Sequence, residues 1–171
     1  MRFAVALTLS ALMPFAGHAA LGVGAPAPGF KAPAALGGKA FEFDLAKALK
    51  KGPVVLYFYP AAFTQGCTLE AHEFAERSDE FHKAGATIVG VSSDDIETLK
   101  RFSKEACRDK FAVATASPQT IAAFDVKLGT SPRSNRTSYV IAKGGRIAYA
   151  YSAMDYREHV KNTLKAVQSL K

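Results

Sequence analysis

Cys67, with Pro60 and Thr64 shortly before it, stands where a reactive sulfur could be placed. The run Val54-Val55-Leu56-Tyr57-Phe58-Tyr59 leads into them, continuously apolar, β-branched and aromatic in the manner of a strand buried on both faces. Pro60 ends that strand and a short loop follows. A helical pattern then begins at Cys67 and continues through Glu70, Ala71, Phe74 and Phe81. A cysteine in the first turn of a helix lies beside unpaired backbone N–H groups and the positive end of the dipole, and both favour thiolate over thiol. The chemistry so placed is nucleophilic attack by sulfur.

Acidity explains little of such a reaction. A thiol whose pKa falls from ~8.5 to ~6 gains about 30-fold in thiolate at pH 7. A Brønsted slope of about 0.45 returns roughly 13-fold of that through weaker nucleophilicity. The remainder is under about 1 kcal/mol, so a fast reaction needs donors placed where charge moves in the transition state.

The elements that must position these residues read as follows. Leu21 to Gly38 is a Gly-, Ala- and Pro-rich extended lead-in with a turn at Gly37-Gly38, and Phe41-Glu42-Phe43 alternates as an edge strand. Asp44 to Lys51 is a brief helical turn. The Cys67 helix runs to about Lys83 and stops at Gly85, and Thr87 to Ser92 is a second buried strand. Ser93-Asp94-Asp95 caps a helix reaching about Cys107, with Ile96, Leu99, Phe102 and Ala106 on one face and Cys107 at that face's edge, sheltered but reachable. Phe111 to Thr115 is a weak strand, Pro118 to Phe124 a short helix and Asp125 to Arg136 a long loop. Thr137 to Ala142 and Arg146 to Tyr151 form a hairpin, and Tyr156 to Leu170 is a closing amphipathic helix. This order predicts an α/β fold with a mixed central sheet and helices on both faces.

With 171 residues, 49% of them hydrophobic and 22% charged, the chain is long enough for one well-filled core. Its +7 charge is scattered rather than set in a stripe interleaved with aromatics, which argues against a nucleic-acid partner. Residues 1–19 have the make-up of a secretory signal: Arg2, an apolar run from Phe3 to Leu12, and small residues ahead of a cleavage after Ala19. The expectation is an exported, periplasmic protein made of one domain over residues 20–171, with no membrane association after cleavage. Cys67 and Cys107 are then an even pair in an oxidising destination, which by composition alone suggests a structural disulfide. His72, His82 and His159 show no ligand spacing, and no phosphate-binding glycine loop occurs, so neither a metal nor another cofactor is expected.

Pro60-x-x-x-Thr64-x-x-Cys67 after a hydrophobic strand resembles the active-site motif of the peroxiredoxins. A given cysteine meets both partners by chance roughly once in 400. The likeness extends to Phe63 through Glu70, Gly85 through Ser92, Arg136 through Ile141, and His159-Val160, and it is strongest to the Q-type group of these AhpC/TSA-like proteins, also called bacterioferritin comigratory proteins. It implies a thioredoxin-like fold and a thiol peroxidase acting on hydrogen peroxide and organic hydroperoxides, recycled by a thioredoxin-like or other dithiol protein and monomeric or weakly dimeric. It implies Cys67 as the peroxidatic residue, Pro60 as its shield from water, and Thr64 and Arg136 as donors. Arg133 is a nearby competitor for the arginine role, and Thr64 has a second reading as a helix cap, although within the motif its hydroxyl is expected to face the sulfur. Many Q-type members carry a second cysteine five residues after the first, where this chain has His72; Cys107 matches the resolving position of another subset. Two rivals stand beside this reading: an exported thiol–disulfide oxidoreductase, and a non-enzymatic domain stapled by a Cys67–Cys107 disulfide.

Overall fold

The computed structural model describes residues 20–170. At its centre β3 (Val54–Phe58) is buried at every position, as the apolar run requires. It pairs in parallel with β4 (Thr87–Ser92) and antiparallel with β6 (Thr137–Ile141). The full sheet has seven strands, adding β1 (Lys31–Leu36), β2 (Lys39–Asp44), β5 (Ala112–Thr115) and β7 (Ile147–Ser152), in the order β2-β1-β5-β4-β3-β6-β7. Only the β3-β4-β5 block is parallel; the remaining pairings are antiparallel.

Two apolar layers cover this sheet. One holds Tyr57, Tyr59, Ile88 and Val140 against residues of α2 (Gln65–Glu76), α3 (Ser78–Lys83), α4 (Ile96–Glu105) and α6 (His159–Gln168). The other holds Leu56, Phe58, Val91 and Tyr139 against α1 (Leu45–Lys51) and α5 (Pro118–Ala123). Alternate residues of β3 thus serve opposite layers, as a period of two demands. Ahead of β1, the extended segment is tied to the β6-β7 turn: Gly24 N donates to Ile147 O at 2.8 Å and Ala27 N to Gly145 O at 2.8 Å.

Three departures from the sequence reading have physical causes. The lead-in ends in a strand, β1, whose adjacent Ala34 and Ala35 are wholly buried on opposite faces of the sheet, with α4 packed against the strand. Pro33 fits there because β5 pairs only with Ala34 and Ala35, leaving its missing N–H without consequence on that side. The helix after Cys67 is not continuous to Lys83: it breaks at Arg77 (φ −101°, ψ 8°), which closes α2 and opens α3. Cys107 lies past the end of α4, whose C-cap is Ala106, and is fully buried rather than at an accessible edge.

Candidate functional site

α2 begins at Gln65, with Thr64 as its N-cap, so Cys67 is the third helical residue and keeps its place in the first turn. The loop before it is fastened from two sides. Asp94, just past β4, accepts from Ala62 N at 2.7 Å and from Ser92 Oγ at 2.8 Å. Ser134 Oγ donates to Tyr59 O at 3.0 Å, joining the loop before β6 to the end of β3. Phe63 takes a left-handed backbone (φ 62°), and its ring meets Phe102 edge-on at 5.2 Å with the Arg101 guanidinium 5.0 Å above it.

Cys67 is buried, and Arg136 reaches it from the residue before β6: Nη2 donates to Cys67 Sγ at 3.4 Å. The same guanidinium donates through Nη1 to Glu70 Oε2 and through Nε to Met154 O at 3.0 Å. Three acceptors, two on α2 and one in the segment after β7, thus hold the arginine, itself only 5% exposed. A Cβ on Gly66 would sit 3.3 Å from Arg136 Nη2, so a glycine there gives the guanidinium its close approach. Arg133 is exposed and lies outside this cluster. Pro60, half-buried, follows Tyr59 at the end of β3.

Thr64 departs from expectation. Its hydroxyl donates to Ala61 O at 3.0 Å and accepts from no N–H of α2, so it does not cap the helix and its proton is not directed at the sulfur. A hydroxyl so engaged presents lone pairs outward and accepts.

Behind Arg136 lies a buried polar chain that the sequence reading did not assemble. Glu70 is fully buried; burial raises its pKa from 4.5 to about 8 against the opposing pull of Arg136. Its Oε1 has no hydrogen-bond partner and stands 3.8 Å from His159 Nδ1. His159 Nε2 lies 2.9 Å from Ala153 O; a carbonyl only accepts, so Nε2 carries the ring proton. Nδ1 then accepts from Ser138 Oγ at 2.8 Å. Burial lowers the His159 pKa from 6.5 to about 4, keeping the ring neutral. His159 and Ser138 stood in segments noted for family likeness, but no spacing links positions that meet only through the β6–α6 packing.

Cys107 shares the apolar cluster that holds Cys67, and both are free thiols. Burial, helped by the charge of Asp109, pushes the Cys107 thiol well above its ordinary pKa. The two residues after it, Arg108 (φ 51°) and Asp109 (φ 59°), are both left-handed. Among the described residues no group of His, Cys, Asp and Glu could hold a metal ion, and no helix is long and apolar enough to cross a membrane. Outside the buried site, a shallow cleft of about 330 Å³ is lined by Gln65, Gly66, Leu69, Asp155, Tyr156 and Arg157.

The family model of the AhpC/TSA family matches residues 23–150. The chain belongs to the AhpC/TSA family. Within it the relatives are of the Q type. A chloroplastic peroxiredoxin Q of Sedum lineare is 37% identical over 126 residues, covering 71% of this chain and 67% of that protein. One from Oryza sativa subsp. japonica is 37% identical over 125 residues, covering 71% of this chain; the chain spans little more than half of that protein's length, 57%. The crystal structure of peroxidoxin BcpB from Mycobacterium tuberculosis superposes with a TM-score of 0.79 at 29% identity, over 87% of this chain and 97% of that one. The fold is accordingly the thioredoxin-like fold of the peroxiredoxins.

These relatives correct one expectation. Residues 1–19, read as a secretory signal, lie outside the described residues. The exported, periplasmic destination drawn from them is overturned by relatives named as chloroplastic. A lone arginine before an apolar run is a compositional cue that does not name a compartment. With that destination goes the argument that an oxidising surrounding favours a structural disulfide.

Proposed function

We propose that this protein is a thiol peroxidase in which Cys67 is the peroxidatic residue and Cys107 the resolving one. The observation that carries this is Arg136 Nη2 at 3.4 Å from Cys67 Sγ, on a guanidinium held by Glu70 and by Met154 O. A fixed cation beside a buried sulfur stabilises the thiolate and remains in place for the charge that moves to the peroxide oxygens. The Cys67 thiolate attacks one oxygen of ROOH, the O–O bond breaks, RO⁻ leaves and takes up a proton, and Cys67 becomes a sulfenic acid. The opening N–H groups of α2 have no intrahelical acceptor and face the anionic intermediates. Thr64, its own proton committed to Ala61, accepts from the hydroxyl of the incoming peroxide and so fixes which oxygen is attacked. Pro60 keeps bulk water from the sulfur, and the tight enclosure suits hydrogen peroxide and small organic hydroperoxides.

Cys107 then attacks the Cys67 sulfenic acid to give a disulfide and water, and a dithiol protein of thioredoxin type reduces that disulfide by thiolate attack. Buried, Cys107 must leave its site to do so. The left-handed Arg108 and Asp109 beside it, like Phe63 ahead of α2, are conformations that cost about 1–3 kcal/mol each and are relieved when these segments unwind.

The test is peroxide consumption by the pre-reduced full chain beside Cys67→Ser, then non-reducing mass spectrometry after one equivalent of peroxide. Loss of consumption in the variant and a 67–107 disulfide in the unaltered protein are expected. Equal consumption by both would sink the reading; a persistent Cys67 sulfenate with no 67–107 disulfide would remove Cys107 from it.

A further inference from the structure

Two fully buried phenols share the apolar cluster of both cysteines, and the steps above use neither. Tyr57 is stacked on Phe74 with ring centroids 4.4 Å apart, and Tyr59 on Phe102 at 5.4 Å. As rings they pack as phenylalanine would, and this layer already holds Phe74, Phe81, Phe102 and Phe111. Their hydroxyls are another matter, because neither Oη has a hydrogen-bond partner. Ser92, whose own proton goes to Asp94 Oδ2 at 2.8 Å, could still accept from the nearby Tyr59 hydroxyl, but the two do not meet in hydrogen-bonding geometry. Room is nonetheless kept for the Tyr57 phenol: a Cβ on Gly90, its pairing partner on β4, would fall 2.8 Å from Tyr57 Oη and Cζ.

A buried donor without an acceptor is unfavourable in the state where it is seen, so its use belongs to another state. The surroundings say which. A charge formed on Cys107 would act on each phenol more strongly than one on any other residue, and a charge on Cys67 would act on both as well. Cys107 has little else to hold it as an anion. Asp109 opposes a charge on it, and the Arg108 guanidinium is turned to Glu76 Oε1 at 3.2 Å.

We propose that Tyr57 and Tyr59 are positioning residues for the resolving thiol, their hydroxyls donating to Cys107 Sγ as it gives up its proton and moves toward Cys67. The inference rests on the resolving role proposed for Cys107. In that step the Cys107 thiolate forms the S–S bond to Cys67, the Cys67 S–O bond breaks, and the hydroxide that leaves takes the proton Cys107 released. Sulfenic sulfur is reduced, thiol sulfur is oxidised, and no further reactant is needed.

Tyr57→Phe, Tyr59→Phe and the double variant of the full chain test this. Hydrogen peroxide is added in one equivalent, and 67–107 disulfide is followed by acid quench, alkylation and mass spectrometry across pH 5–9. Sulfenic acid formation is followed separately by dimedone trapping in a Cys107→Ser background. The double variant is expected to form sulfenic acid at an unchanged rate and disulfide at least tenfold more slowly, with the pH of half-maximal rate moved upward. Its melting temperature is expected to equal or exceed that of the unaltered protein, since the hydroxyls it loses lack partners. An unchanged disulfide rate and pH profile, or a lowered melting temperature with that rate unchanged, would overturn the role of the tyrosines alone. No 67–107 disulfide in the unaltered protein would overturn the resolving role itself and this inference with it.

Discussion

Glu70→Gln separates the charge of the buried carboxyl from its shape. Glu70 and His159 lie 3.8 Å apart, and burial moves them in opposite directions, Glu70 from 4.5 up to about 8 and His159 from 6.5 down to about 4. Between pH 4.5 and 8 the folded protein holds a proton on Glu70 that the unfolded chain has released, so stability is lost as pH rises. Between pH 4 and 6.5 the unfolded chain holds a proton on His159 that the folded protein lacks, so stability is gained as pH rises. Each effect has a ceiling of about 1.4 kcal/mol per pH unit. They cancel from pH 4.5 to 6.5, and above that only Glu70 acts. The unaltered protein is therefore expected to lose about 2 kcal/mol between pH 6.5 and 8, or roughly 4–8 °C in Tm for a chain of this size. In Glu70→Gln that fall disappears and the His159 rise is uncovered, a gain of about 3 kcal/mol from pH 4.5 to 6.5 followed by a plateau. Urea unfolding at half-unit pH steps in the presence of reductant measures both curves. A fall of equal size above pH 6.5 in Glu70→Gln would refute the argument.

Arg136→Met should slow sulfenic acid formation at Cys67 at least tenfold, and about 100-fold if the guanidinium acts as a full transition-state donor, whereas the exposed Arg133→Ala should leave it unchanged; stopped-flow peroxide consumption distinguishes them. Thr64→Val should lower the same rate about tenfold, the worth of one lost acceptor, while Thr64→Ser restores it; equal rates in Val and Ser would place the hydroxyl outside the reaction. Gly52→Ala should destabilise by about 2 kcal/mol or more in urea unfolding, because the new Cβ would meet the backbone carbonyl of Gly85 at 2.3 Å, which no rotamer change relieves.

What could be read from the sequence followed from patterns that repeat along it. The β3 run, a helix whose first turn holds Cys67 though it begins two residues earlier, and the β6-β7 hairpin are continuous apolar or turn signals, and the position of Arg136 at a strand's edge is legible in the same way. β1 escaped because its buried positions are alanines, small residues with little strand propensity. The break at Arg77 escaped because neither glycine nor proline marks it. The direction of the Thr64 hydroxyl depends on a carbonyl three residues back, and the pairing of Glu70 with His159 on contact between α2 and α6. The burial of Cys107 depends on what covers the end of α4, which helical periodicity within α4 does not contain.

Phe63 rests on Phe102 and beneath Arg101, so the loop that precedes Cys67 is latched to the helix that precedes Cys107. Two segments joined in this way do not open independently. If the first turn of α2 loosens, the ring leaves α4, and α4 loses cover close to Cys107, as the resolving step proposed above requires. On that proposal the two cysteines are released as one cooperative unit, and the amides of residues 65–67 and 106–109 should exchange with solvent in concert.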